Sequence, residues 1–163
     1  MRFFTRELLK ELNSQDDAVV ERATQKWEQA IQDYRQSLKP LLARMPGKAR
    51  GLSKLVLHDA RAFAVKRTIP TVQQIIAAPD SDSTVLLTYD LWSSPRTSLP
   101  ASWPFSSQDK YWLYDELDWG TKGTARFIHR ILFSDGSVLA IPFLNCEISW
   151  WLRASPGKAN DAA

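Results

Sequence analysis

The sequence predicts an α+β fold: helices over residues 1–46, packed on an antiparallel sheet of about five to six strands over residues 52–153. Three observations predict it. Apolar residues recur at helical spacing from Val20 to Met45. After Gly51 that period gives way to short β-branched and aromatic runs divided by polar or Gly/Pro turns. Asp135-Gly136 then separates two apolar runs, which is a strong hairpin signal.

The elements follow in order. Thr5 can cap a short helix through about Leu12. Ser14 is the expected cap of a second, long helix, with Asp16 and Asp17 at the positive end of its dipole. Val20, Trp27, Tyr34 and Leu41, interleaved with Ile31, Leu38 and Met45, make one apolar stripe; Thr24 interrupts it. The stripe is short for a coiled coil and reads as the face that meets the sheet. Pro40 should kink the helix or end it near Lys39, and Pro46-Gly47 marks a stop.

Leu55 to Val65 reads as the first strand. Pro70 to Ala78 fits either a short helix or a strand. Thr84–Trp92 and Lys110–Trp119 read as further strands. Ala125–Phe133 and Val138–Ile141 form the hairpin, Pro142 to Asn145 is a turn, and Cys146–Leu152 is the last strand. A two-residue turn would pair Phe133 with Val138 and Ile131 with Ala140. It leaves apolar residues on both faces, so helices or a partner must cover each. Residues 154–163 are polar and small and are expected to be disordered. The domain is therefore single, over 1–153.

Composition narrows the function classes. The 163 residues contain one cysteine, Cys146, so no internal disulfide is possible. The first residues carry charges where a secretory signal needs an apolar run, and no stretch approaches a membrane span; a cytoplasmic location is the expectation. The net charge is +3. Arg44, Lys48, Arg50, Lys54, Arg61, Lys66 and Arg67 cluster, but no nucleic-acid-binding signature accompanies them, and a nucleic-acid partner is not expected.

Candidate chemistry is sparse. His58-Asp59, in a strand, would point to opposite faces and could not form a local dyad. His129 shares a face with Phe127, Ile131 and Phe133, and Cys146 lies one strand on, without the surroundings of a nucleophile. Asp115, Glu116 and Asp118 form an acidic run; Glu116 and Asp118 share a face about 7 Å apart. Neither a metal nor a cofactor is called for. The chain holds seven tryptophans. Trp150 and Trp151 are adjacent in a strand and must face opposite ways. Residues 93–108 hold six serines and three prolines, yet include Trp103 and Phe105. A loop of that length tends to be functional.

Arg2-Phe3-Phe4-Thr5-Arg6-Glu7-Leu8 resembles the Arg-Tyr-Phe-Thr-x-Glu-Leu opening of a bacterial family of unknown function. Leu57-His58-Asp59-Ala60 and Phe133-Ser134-Asp135-Gly136 fit the same pattern. The resemblance implies helices before strands and a bacterial origin, with Thr68 to Gln108 as an elaboration. It carries no catalytic residue.

Two functions follow as expectations. The first is a non-enzymatic protein-binding module, an immunity-type inhibitor or adaptor, with Trp103 and Phe105 as anchors and Glu116 and Asp118 as a charged rim; its partner is another protein or a second copy. The less favoured alternative is a small hydrolase or metal-assisted enzyme using His58, Asp59 and His129.

Overall fold

The computed structural model describes residues 1–69, 71–79, 83–105 and 109–152. The tail expected to be disordered, 154–163, lies outside them, as do residues 80–82 of the polar turn and 106–108 of the Ser/Pro-rich loop. The fold is α+β: helices on an antiparallel sheet that nearly closes into a barrel. Helices α1 (Arg6–Leu12) and α2 (Asp17–Arg44) are followed by a 3-10 helix (Ala49–Lys54). Seven strands come next: β1 (Arg61–Ile69), β2 (Val72–Ala78), β3 (Ser83–Leu91), β4 (Arg96–Ser98), β5 (Trp112–Trp119), β6 (Phe127–Phe133) and β7 (Val138–Leu152). No described helix is long and apolar enough to cross a membrane.

Thr5 caps α1 as predicted, its hydroxyl accepting the Leu8 N–H at 3.2 Å. The cap of α2 is Asp16 rather than Ser14: its carboxylate accepts the Ala18 N–H at 2.9 Å, and Ser14 instead accepts the Asp16 N–H. A carboxylate at this position adds charge to the hydrogen bond. Pro40 does not end the helix, which runs to Arg44. The carbonyl that loses its donor belongs to Gln36, an exposed residue, where water can replace the N–H.

The strands run in the order β1-β2-β3-β7-β6-β5, all antiparallel, with β4 beside the start of β7. The lead into β5 returns to β1. Asp59 N–H donates to Trp112 O at 2.8 Å, Trp112 N–H to Ala60 O at 2.9 Å, and Ala62 N–H to Lys110 O at 2.8 Å. These bonds close one end of the sheet on itself.

Three sequence readings change here. Leu55–Ala60 is not strand; the chain turns there, with Asp59 at φ 63°, and the strand begins at Arg61. The ambiguous segment before Ala78 is strand β2, because it has a neighbour on each side. The expected turn at Pro142–Asn145 is absent: β7 runs unbroken through Pro142. It pairs with β6 over its first part and with β3 over the rest.

The hairpin register also moves by one residue. Phe133 N–H donates to Ser137 O, and Gly136 N–H to Phe133 O, each at 2.9 Å. Ser134-Asp135-Gly136 is thus a three-residue loop with Gly136 in the left-handed region, φ 74°. Leu132 pairs with Val138 and Ile131 with Leu139. A slip of one exchanges the faces of β7. Leu139 and Ile141 turn inward instead of Val138 and Ala140.

The inward rows are Trp112 and Leu117 on β5, Phe127, His129, Ile131 and Phe133 on β6, Ile141, Phe143 and Cys146 on β7, Val85, Leu87 and Tyr89 on β3, and Ile75 and Ala77 on β2. The helix stripe splits its work. Leu41 and Met45 enter this core with Leu52 and Leu57. Each contributes roughly 1.5–3 kcal/mol by leaving water. Higher up, Trp27 and Tyr34 pack with Phe3, Phe4 and Tyr114 outside the sheet. Between the two halves, the Tyr34 hydroxyl accepts the Leu117 N–H of edge strand β5 at 2.8 Å. The long helix therefore guards an edge as well as a face. The outer face of the hairpin, where Leu132 and Val138 point, is covered by Leu9 of α1 and by Met1 and Trp103.

Candidate functional site

The sheet interior holds a polar chain. His129 is 1% exposed, with Nδ1 2.8 Å from the Tyr89 hydroxyl and Nε2 2.9 Å from Asp115 Oδ2. Asp115 Oδ1 also accepts the Trp112 indole N–H at 3.1 Å. The Asp115 carboxylate accepts a hydrogen bond from Nε2–H, so in the neutral ring Nδ1 accepts from the Tyr89 hydroxyl. Cys146 sits directly opposite Tyr89 on β7, and its thiol donates to Glu147 O at 3.7 Å. Burial pushes both the thiol and the Tyr89 hydroxyl up from their ordinary pKa, and nearby acidic groups add to it. A protonated thiol is a poor nucleophile. These groups fix one another in the core; the chain reaches solvent only through Asp115, whose side chain is 26% exposed.

His58 and Asp59 lie elsewhere. Because they occupy a turn and not a strand, the expected separation to opposite faces does not hold: His58 Nε2 is 3.4 Å from Asp59 Oδ2. His58 Nδ1 lies 2.5 Å from Leu113 O, and the ring tilts against Tyr114. The two line a pocket of about 300 Å³ with Leu9, Asn13, Phe105 and Tyr114. His129 has no part in it. The three residues of the enzymatic reading do not converge, because His129 points inside the sheet and His58 lies at its outer rim. Among the described residues no three His, Cys, Asp or Glu side chains gather as a metal-holding group.

Glu116 is not a rim residue. It is fully buried, and its carboxylate accepts the N–H groups of Arg2, Phe3 and Phe4 at 2.7, 2.6 and 2.7 Å. It faces outward from β5 as its spacing from Asp118 requires, but the N-terminal segment lies over it. Asp118 is largely covered too, paired with Arg130 at 3.0 Å and with Arg2 at 3.8 Å.

Trp103 and Phe105 are half-buried and pack edge to face at 5.3 Å. The Trp103 indole N–H donates to Ser134 O at 2.7 Å, and its ring lies on Gly136. The loop closes down on the hairpin turn of its own chain. Aromatic exposure is found instead at the end of β7, where Trp150 and Trp151 are each 50% exposed. Trp150 pairs with Val85 and shares the inward row; Trp151 pairs with Thr84 and faces outward. The adjacency of the two tryptophans signalled opposite faces. That both lie past the covered part of the sheet was not visible without β3 and β6.

No protein family, no curated protein and no solved structure matches this chain.

Proposed function

We propose that the chain is a non-enzymatic protein-binding module, an inhibitor or adaptor, which meets its partner at the Trp150–Trp151 end of β7. The observation that carries this reading is the pair of half-exposed tryptophans on opposite faces of one strand end. Tryptophan concentrates binding energy because it buries a large apolar area while keeping one polar group to orient it. On the side of β7 away from β3, no described strand pairs beyond Phe143, so backbone groups stand beside the two indoles. The groups best suited to chemistry, Cys146 and His129, are enclosed, which favours a surface role.

Affinity capture tests this reading with the unaltered chain, a Trp150→Ser/Trp151→Ser double variant and Trp103→Ala. The expected result is a stoichiometric partner held by the unaltered chain and by Trp103→Ala, and lost by the double variant. Equal retention by all three rejects the surface. Sedimentation across a concentration series reads the same variants for self-association.

A second reading, a small hydrolase or metal-assisted enzyme, draws on one observation: the His58 ring is held at Nδ1 by Leu113 O beside the Asp59 carboxylate in an open pocket. Only His58 and Asp59 serve it, without His129. Turnover of simple esters or phosphate esters that is abolished by His58→Ala supports it; rates equal to buffer reject it.

A further inference from the structure

A second pocket, of about 240 Å³, opens on the outer face of the sheet where β3 gives way to β4. Its cause lies in the sequence. In an antiparallel strand the N–H and C=O of one residue point to the same neighbour. The Pro142 carbonyl accepts the Trp92 N–H at 3.4 Å, so the N–H that proline lacks would have faced the same side. There the neighbouring strand leaves the ladder after Leu91 and rejoins it at Arg96. The gap is floored by Ile128, Ala140 and Pro142.

Trp92 forms one wall and is held on several sides. Its indole N–H donates to Phe127 O at 3.1 Å, and the Arg126 guanidinium lies 5.4 Å from the ring centre. The ring sits on Gly120, where a Cβ would come within 2.6 Å of it. Arg96 forms the opposite rim. It is exposed and makes no ion pair among the described residues. Its backbone pairs with Ala140, which puts its side chain on the pocket's face of the sheet. A fixed aromatic wall, an apolar floor and one uncommitted guanidinium select for a particular ligand chemistry.

We propose that this pocket binds a small flat organic anion, with an aromatic body against Trp92 and Pro142 and a carboxylate at Arg96. The site is separate from the Trp150–Trp151 surface, so the two readings stand or fall independently.

Three probes of similar shape test it: indole-3-acetate, uncharged indole and cationic tryptamine. Binding is followed by calorimetry and by the Trp92 indole N–H signal in a nitrogen–proton spectrum, assigned with Trp92→Phe. Saturable binding of indole-3-acetate is expected, with indole about tenfold weaker and tryptamine weaker still. Arg96→Ala should lower the affinity for indole-3-acetate to that of indole and leave indole itself unchanged. Ala140→Leu, which fills the floor, should remove binding of all three while the circular dichroism spectrum stays unchanged. Equal binding of the three probes, indifference to Arg96→Ala, or no saturation by millimolar indole-3-acetate overturns the proposal.

Discussion

The carboxylate of Glu116 accepts the backbone N–H of Phe4 at 2.7 Å, joining the middle of an edge strand to a residue 112 positions earlier. The same side chain takes the N–H groups of Arg2 and Phe3. One buried acid thereby holds the segment that carries Phe3 and Phe4 onto Tyr34, Trp27 and Tyr114. Glu116→Ala should cost about 3–5 kcal/mol, because three donors and an aromatic cluster lose their anchor together. Glu116→Gln, which keeps one acceptor oxygen but turns an amide toward the donors, should fall between. Urea midpoints rank the three proteins. A loss below ~1 kcal/mol for the alanine variant would show that the segment is not held in this way.

Gly136 combines a positive φ with a close approach: a Cβ there would lie 2.5 Å from the Trp103 ring. Gly136→Ala should cost about 2–3 kcal/mol, of which ~1 kcal/mol is backbone strain. In a Trp103→Ala background the clash with the indole is gone, and the strain should remain together with a 2.9 Å approach to Pro100. Thermal melts of the double-mutant cycle read that non-additivity.

The Tyr89–His129–Asp115 chain should behave as a unit. Tyr89→Phe removes one hydroxyl and should cost about 1–2 kcal/mol. His129→Ala strips both partners and opens a cavity, and should cost ~3 kcal/mol or more. The double variant should cost less than the sum of the two, measured by denaturant titration.

Alkaline pH should destabilise the fold. Burial raises the folded-state pKa of Cys146, Tyr34 and Tyr89 above their ordinary values of 9.0, 10.0 and 10.0. The unfolded chain then loses these protons first, so the stability they contribute is complete below about pH 9 and falls as pH rises through those values. Phenolate absorbance from Tyr34 and Tyr89 should appear only together with unfolding. Smooth titration of all the tyrosines with native circular dichroism would refute this.

Acid should loosen the hairpin turn. Burial alone would raise Asp135, but hydrogen bonds from Ser137 and Lys110 outweigh it and hold its carboxyl below the usual range. That contribution is present above the ordinary carboxylate pKa and is lost as pH falls through the depressed one. Asp135→Asn should flatten this part of the acid limb, which amide exchange at Gly136 and Ser137 can follow.

The class of the fold and much of its local structure were legible in residue patterns alone. The stripe from Val20 to Met45, the Thr5 cap, β3 and the Phe127–Phe133 face are local patterns, set by side-chain periodicity within one element. Two-sided apolarity of the hairpin correctly required cover on both faces. Tertiary structure decided what depends on neighbours distant in sequence. Pro142 signals a turn only until β6 and β3 flank it. The Asp135-Gly136 loop takes three residues instead of two, and that single step chose which β7 side chains enter the core. Glu116 and Trp103 read as exposed contacts from an acidic run and a long polar loop; the N-terminal segment buries Glu116, and Trp103 lies half-buried on the Gly136 turn. Burial is a property of the whole packed chain, and so the exposed residues that carry the functional proposals, Trp150, Trp151 and Arg96, could be singled out only after folding.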